Sequence, residues 1–267
     1  MGQRENILWD ELPFWSAPFG IALLDRIRFR HGMRILDIGT GTGFPLTELA
    51  MRSGKESRVT GLDPDPEAVA HAKRKLFAMG IRNAEVVIGV AEKLPFDDQY
   101  FDLITSNNGL NNVAQLPYAL EECARVLRPG GQLVETFNLD GTMAVFYGAL
   151  EEVLLDLGLA GTVDRMHDHI HRKRPSLKEM VSLMEKQGLQ IHHVLEESFA
   201  YRFINAEALF DHFLIRTAFM GPWLEIVPEE RQTTVFQGVR ERLDRLAETQ
   251  GHIELRIPFA IIDSIRG

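Results

Sequence analysis

The sequence predicts an α/β fold with a doubly wound, mostly parallel sheet and helices on both faces. The first observation is that five short apolar runs alternate with helical stretches between residues 33 and 138. Strands joined through helices lie parallel, because the chain crosses back over the sheet between them. The second is a cluster of glycines directly behind the first run, and the third is an aspartate that ends the second run. Both are typical of the edge at which such sheets bind ligands.

The five runs are short, apolar and bounded by Gly, Pro, Asn or Asp, as strands are. They are MRILDIG (33–39), SRVTGLD (57–63), AEVVIG (84–89), FDLITSN (101–107) and GQLVETFN (131–138). The stretches PLTELAMRSG (45–54), DPEAVAHAKRKLFAMG (65–80) and LPYALEECARVLRPGG (116–131) predict the helices between them. The second of these has the clearest end signals, with Asp65 as N-cap, Pro66 in the first turn and Gly80 as the stop.

The pattern changes after residue 139. Helices are predicted over residues 140–158, 176–188, 205–221 and about 228–249, and two strand-like runs cover residues 189–204 and 253–262. We therefore divide the chain into four parts. They are a helical N-terminal lid segment (1–30), the ligand-binding core (31–138), a helical insertion or cover (139–188) and a C-terminal part that completes the sheet with further helices (189–267).

Composition excludes several classes of function. The formal net charge of −9 argues against a nucleic-acid partner, because a phosphate backbone would be repelled. The sequence has no apolar run of about 18 residues, the length a membrane span needs. Its first residues lack the layout of a signal peptide, and the single cysteine excludes an internal disulfide and a multi-cysteine metal site. We expect a cytoplasmic protein without a metal.

The stretch ILDIGTGTGF (35–44) is the strongest candidate site. Gly39, Gly41 and Gly43 fall at the carboxyl end of the first predicted strand, where bare backbone lets a ligand approach closely. Asp63 ends the second strand, and a carboxylate there accepts hydrogen bonds from ribose hydroxyls. The glycines are spaced G-x-G-x-G, whereas dinucleotide sites read G-x-G-x-x-G. The pattern favours a nucleoside ligand and disfavours an NAD-linked dehydrogenase.

Four motifs occur in order over residues 30–138: ILDIGTGTG, GLDPDP, VAEKLPFDDQYFDLITSNNGL and ARVLRPGGQLV. Together they resemble the class I S-adenosylmethionine-dependent methyltransferases, in particular the small-molecule branch similar to ubiquinone and menaquinone biosynthesis methyltransferases. The resemblance implies a Rossmann-like, seven-stranded sheet whose last strand is antiparallel. It also implies that S-adenosyl-L-methionine is the cofactor, and that a methyl group passes to a small organic acceptor by in-line displacement.

The resemblance further implies residue roles. The methionine part of the cofactor would meet Asp37 and the loop, the ribose would meet Asp63, and the adenine would lie by Pro64, Ala91 and Glu92. The full cofactor-binding set is Asp37, Gly39, Thr40, Gly41, Thr42, Gly43, Asp63, Pro64, Ala91, Glu92 and Asn107. One position departs from the family pattern, because Val90 stands where an acid often reads the adenine amino group.

Substrate contacts are predicted on two segments. The aromatic N-terminal stretch WDELPFWSAPFG (9–20) provides Trp15 and Phe19, which either line a pocket or only anchor a helix. The amide-rich stretch SNNGLNNV (106–113) provides Asn108 and Asn111, which either orient a polar acceptor or serve local turns. Arg202 either reaches the same pocket or is a charge on a strand face.

No catalytic base is evident from the sequence. His167, His169 and His171 lie in the basic run RMHDHIHRKR and would share a face only on an extended segment. One of them would act as a base on a charged lid, or the run would be a solvated surface loop. Their spacing disfavours a metal site.

Two other functions stay open. One is methylation of a protein or RNA, and the other is a protein that binds S-adenosylmethionine or its product without catalysis. Fold analogy does not choose among these functions. A homodimer is a possible assembly.

Overall fold

A computed structural model describes residues 13–174 and 176–267, without the side chains of residues 13, 172 and 173. The described chain forms two compact units. The first comprises the residues up to Asn138 with Leu177–Glu197 and Phe259–Gly267, and the second comprises Leu139–Ser176 and Ser198–Pro258. Residues 189–267 therefore contribute to both units, and the four-part division made from the sequence stays a prediction.

Seven strands form one sheet in the order β3-β2-β1-β4-β5-β7-β6. They are β1 (Arg34–Ile38), β2 (Arg58–Asp63), β3 (Ala84–Ile88), β4 (Phe101–Asn107), β5 (Leu127–Asn138), β6 (Leu189–Phe203) and β7 (Ile253–Arg266). Strands β3, β2, β1, β4 and β5 pair in parallel, and β7 pairs antiparallel with β5 from Gln132↔Ile265 to Asn138↔Phe259. The predicted seven-stranded, mostly parallel sheet with an antiparallel last strand is confirmed.

The helices of the first unit follow the end signals in the sequence. They are α1 (Pro13–Leu24), α2 (Leu46–Arg52), α3 (Pro66–Ala78), α4 (Leu116–Val126) and α7 (Leu177–Lys186). The carboxylate of Asp65 accepts the Glu67 N–H at 2.8 Å and so caps α3, as predicted. The central strand β4 is buried from Phe101 to Ser106, as expected for a parallel strand that is covered on both faces.

The second unit has a core of its own. Its helices are α5 (Ala144–Asp156), α6 (Ala160–Lys173), α8 (Ala206–Asp211), α9 (Met220–Ile226) and α10 (Glu229–Gln250), with a π-helical turn at Ile215–Phe219. The fully buried Trp223 stacks on Phe146 with ring centroids 3.6 Å apart, and its Nε1 donates to the Tyr147 hydroxyl at 3.1 Å. This hydrogen bond satisfies the polar end of a buried indole.

Two predictions for the second unit are wrong. The histidine-rich run as far as Lys173, which one reading made a solvated loop, belongs to helix α6, whereas its reading as a charged lid stays a prediction. Residues 205–221, read as one helix, break after Asp211, where His212 is extended. Asn205 does cap α8 by accepting the Ala208 N–H at 2.8 Å. The break carries no glycine or proline, so local sequence gave no signal for it. In the part of the chain that is described, no helix is long and apolar enough to cross a membrane.

Candidate functional site

A pocket of about 540 Å³ lies in the first unit at the carboxyl ends of β1, β2 and β4. This is the edge at which parallel sheets bind ligands, and the volume is in the range of small-molecule sites. Gly39, Asp63 and Asn107 contribute one residue from the end of each strand. The other lining residues are Trp15, Ser16, Ile38, Leu62, Pro64, Val90, Ala91, Glu92, Asn108, Gly109, Asn112, Val113 and Ala114.

The glycine loop is needed because two segments of backbone cross beside the pocket. A Cβ on Gly39 would stand 2.6 Å from the Cα of Gly109, and a Cβ on Gly109 would stand 2.3 Å from the carbonyl oxygen of Ile38. Gly39 and Gly41 also have positive φ angles, 71° and 53°, which favour glycine. The sequence identified one side of this crossing and missed Gly109, although it interrupts a run of asparagines.

Asp63 connects the second strand to the loop. Its Oδ2 accepts the Gly41 N–H at 2.8 Å, and its Oδ1 accepts the Asp65 N–H at 3.0 Å. Burial raises the pKa of this carboxyl, while the two backbone hydrogen bonds oppose the rise. Each carboxylate oxygen has a further lone pair. Asp63 can therefore hold the loop and still accept hydrogen bonds from a ligand in the pocket.

Asp37 lies outside the lining of this pocket and is fully buried. Its Oδ1 accepts the Thr105 hydroxyl at 2.8 Å, and its Oδ2 has no hydrogen-bond partner among the described residues. Burial raises the pKa of the Asp37 carboxyl to about 7, against the lowering effect of Thr40 and Thr105. The Thr40 hydroxyl is close enough for this effect, but its geometry falls short of a hydrogen bond.

The structure thus divides the predicted cofactor residues into two groups. Gly39, Asp63, Pro64, Ala91, Glu92 and Asn107 line the pocket. Asp37, Thr40, Gly41, Thr42 and Gly43 do not line it. The side chain of Thr40 is buried against Gly61, where a Cβ would stand 2.9 Å from its Cγ2. Inward packing of this kind depends on β2, which the loop sequence does not reveal.

Glu92 has a structural task that the sequence did not indicate. Its Oε1 accepts the N–H groups of Ala114 and Gln115 at 2.8 and 3.1 Å, just before α4. The carboxylate therefore holds the loop that leads into this helix, which leaves Oε2 for a ligand. The neighbouring Val90 is about half exposed and lines the pocket, so this part of the pocket is apolar where the family pattern often has an acid.

Helix α1 both lines the pocket and anchors itself to the sheet. Trp15 and Ser16 are in the lining. Phe19, which was predicted to contact substrate, is fully buried instead and packs edge-on against Phe259 with centroids 4.7 Å apart. Trp15 packs on Phe19 in turn, at 5.5 Å. Residues four apart lie on the same helix face, so the sequence could not tell which ring reaches the pocket.

Asn107 holds α1 in place. Its Nδ2 donates to the carbonyl oxygen of Ser16 at 3.2 Å, and its Oδ1 accepts the Thr136 hydroxyl at 3.1 Å. Gly20 allows close contact, because a Cβ there would stand 2.3 Å from the ring of Phe44. The amide of Asn107 is already engaged in these two hydrogen bonds, so a cofactor contact there would use the capacity that they leave.

Of the two predicted asparagines, Asn108 lines the pocket and Asn111 does not. Arg202 and the three predicted histidines belong to the second unit and are not in the lining of this pocket. Arg202 pairs with Glu254 at 3.0 Å, and His167 Nε2 lies 3.5 Å from a carboxylate oxygen of Glu151. His169 and His171 border a separate pocket of about 480 Å³. Within the described residues, no group of three or more His, Cys, Asp or Glu side chains is placed to hold a metal ion.

Comparisons with known proteins agree with this geometry. Residues 36–134 match a family described as methyltransferase domain. The demethylmenaquinone methyltransferase of Bacillus cereus is 29% identical over 169 residues, which are 60% of this chain and 71% of that protein.

Solved structures share the fold at low sequence identity. The YcgJ protein of Bacillus subtilis has a TM-score of 0.62 at 19% identity, and the match covers 93% of this chain and 97% of that one. A SAM-dependent methyltransferase of Aquifex aeolicus has a TM-score of 0.55 at 20% identity, over 73% of this chain and 92% of that one. At these identities the likeness supports the fold alone.

Proposed function

We propose that this chain, which is a class I S-adenosylmethionine-dependent methyltransferase, transfers the methyl group to a small organic acceptor bound in the pocket of the first unit. The observation that carries the proposal is the pocket itself, in which Gly39 and Asp63 stand side by side at the ends of β1 and β2. The matched domain, residues 36–134, contains both. The name of the related demethylmenaquinone methyltransferase indicates that it acts on a small molecule, which supports a small organic acceptor for this chain.

The pocket residues fit a nucleoside cofactor. Gly39 presents only backbone at the pocket, because the position of its missing Cβ is taken by Gly109. Asp63 offers the lone pairs that Gly41 and Asp65 leave unused to the ribose hydroxyls. Pro64, Val90 and Ala91 provide an apolar surface for a base. S-adenosylmethionine bound there supplies an electrophilic methyl group on a positively charged sulfur.

The protein's own contribution is mainly alignment and exclusion of water. Well-held geometry supplies about 7–11 kcal/mol of a barrier in favourable cases. Asn107 fixes α1 through Ser16, and α1 brings Trp15 to the pocket. The ionisable side chains among the lining residues are Asp63 and Glu92. Both are engaged by backbone N–H groups, so we propose that the acceptor reacts without a dedicated side-chain base.

Calorimetry with S-adenosylmethionine and S-adenosylhomocysteine tests the cofactor assignment. Asp63→Asn keeps the size of the side chain but replaces one of the two accepting oxygens by an N–H donor, and we expect affinity to fall at least about tenfold, equivalent to about 1.4 kcal/mol. Asp97→Asn is the control, because Asp97 is exposed and outside the pocket. Equal affinity of wild type and Asp63→Asn would contradict the ribose assignment.

Transfer of labelled methyl groups tests the acceptor class. Wild type is incubated with labelled S-adenosylmethionine and, separately, with small aromatic and enolic compounds, peptides and RNA. Label on a small compound supports the proposal. Label only on peptide or RNA would favour the macromolecular alternative, for which the net charge of −9 gives RNA little support. Tight cofactor binding without transfer to any class would favour a binding protein.

A further inference from the structure

The loop after β4 presents one amide group to the pocket in a fixed orientation. Asn108 lines the pocket, and its backbone is in the left-handed region, with φ at 59°. Its N–H donates to the carbonyl oxygen of Thr136 at 3.1 Å, and its C=O accepts the Asn112 side-chain amide at 3.0 Å. The main chain of Asn108 is therefore held on both sides.

The side chain of Asn108 is held at its oxygen only. Oδ1 accepts Nδ2 of Asn111 at 3.1 Å. Nδ2 of Asn108 makes no hydrogen bond to another described residue. Because an amide nitrogen carries two N–H donors, Asn108, which lines the pocket, has donors that no described residue accepts.

The opposite orientation of this amide pair is unfavourable. Oδ1 of Asn111 is buried and has no hydrogen-bond partner among the described residues. Reversing both amides would place the Asn111 nitrogen there and bury unpaired N–H donors. Unpaired buried N–H groups are rarer in proteins than under-satisfied carbonyl oxygens. Asn111 thus holds the oxygen of Asn108 and leaves its nitrogen without a hydrogen bond to the described residues.

From this arrangement we infer that Nδ2 of Asn108 donates a hydrogen bond to an oxygen of the methyl acceptor, and that Asn111 is the positioning residue that fixes the amide. The inference rests on the proposed function and adds a specificity rule to it. An acceptor with an oxygen lone pair at this point binds well. A methyl acceptor that presents an N–H at this point binds poorly, because its N–H donor then faces the Nδ2 donor of Asn108 and neither is satisfied.

Two naphthalene probes that differ in the polar group test the rule on protein saturated with S-adenosylhomocysteine. 1-Acetonaphthone offers a carbonyl oxygen, and 1-naphthylamine offers N–H donors. We expect wild type to bind 1-acetonaphthone at least tenfold more tightly, as measured by calorimetry. Asn108→Asp replaces the donor by an acceptor of the same shape and still accepts from Asn111, and aspartate tolerates the left-handed backbone. It should reverse the preference between the two probes at saturating S-adenosylhomocysteine, whose affinity for the variant is measured separately.

Three further variants separate positioning from general structural damage. Asn205→Asp adds the same charge at the cap of α8, where the retained oxygen still accepts the Ala208 N–H, and should change nothing. Asn111→Leu should abolish the preference between the probes, because the amide of Asn108 is then free to turn, and Asn111→Gln, which keeps a donor, should restore it.

The outcomes distinguish this inference from the proposed function. If wild type binds S-adenosylhomocysteine but neither probe, or if Asn108→Asp keeps the wild-type preference, the role of Asn108 is refuted and the cofactor site stands. If wild type fails to bind S-adenosylhomocysteine, the proposed function itself is refuted.

Discussion

The crossing of Gly39 and Gly109 predicts a strong effect of Gly109→Ala. Gly109 has φ −70° and ψ −49°, angles that alanine adopts readily, so any cost comes from contact rather than from backbone strain. The added Cβ would stand 2.3 Å from the carbonyl oxygen of Ile38, 2.8 Å from the hydroxyl of Ser106 and 3.0 Å from Cα of Gly39. Two of these three neighbours are backbone atoms, which cannot turn away as a flexible side chain can.

Overpacking of a close-packed region costs about 1–3 kcal/mol, and we expect the upper part of this range because backbone must shift. The shift displaces Gly39 at the pocket, so affinity for S-adenosylhomocysteine should fall at least tenfold. Urea denaturation measures the first effect and calorimetry the second.

Gly148→Ala is the matched control for Gly109→Ala. Gly148 is an exposed residue inside α5, and no atom lies within 4 Å of its added Cβ. This substitution should stabilise the protein by up to about 1 kcal/mol through helix propensity and leave binding unchanged. If Gly109→Ala has the stability and affinity of the wild type, the close contact between the backbones at Gly39 and Gly109 is not required.

Two further predictions concern the core of the first unit. Burial raises the pKa of the Glu135 carboxyl from 4.5 to about 8, so the folded state holds this proton more tightly than the unfolded state. The stabilisation from the protonated carboxyl is full below pH 4.5 and is lost as pH rises to about 8. The free energy of unfolding should decrease over this range by on the order of 4–5 kcal/mol. Glu135→Gln should flatten the pH dependence of the free energy of unfolding between pH 5 and 8, as measured in urea, whereas parallel curves for the variant and wild type would contradict the assignment. Phe19→Ala should cost about 3–5 kcal/mol of stability because it empties a fully buried site. Trp15→Ala should mainly weaken ligand binding, since Trp15 lines the pocket. If the two variants have equal effects on stability and equal effects on binding, α1 is only an anchor.

Much of the sheet edge was predictable because its signals are local. Apolar runs that end at glycine or aspartate fix where β1 and β2 end, and the parallel arrangement brings those ends together. Gly39 and Asp63 follow from this reasoning alone. The cap at Asp65 was predictable for the same reason, since the acceptor and the N–H it receives are two residues apart.

The wrong predictions concern residues whose contacts depend on segments far away in the chain. Phe19 and Trp15 lie on one face of α1, and Phe259 from the far end of the chain takes the first of them into the core. The ligand contact predicted for Glu92 stays a prediction, and the hydrogen bonds by which Glu92 holds the loop before α4 come from a segment more than 20 residues away. The histidine run was not predicted as a helix, and α6 was missed although Lys173 and Pro175 are ordinary helix-end signals.

Local sequence predicted the order of strands and helices between residues 33 and 138, the glycine loop and the carboxylate that ends β2, because each depends on residues near one another in the chain. The fold was needed to show that Gly109 must be bare and that Asp37 is buried outside the pocket lining. Both depend on atoms that the pairing of strands brings within 2 to 4 Å. Contact at that range is set by packing, and packing is not encoded in any one segment.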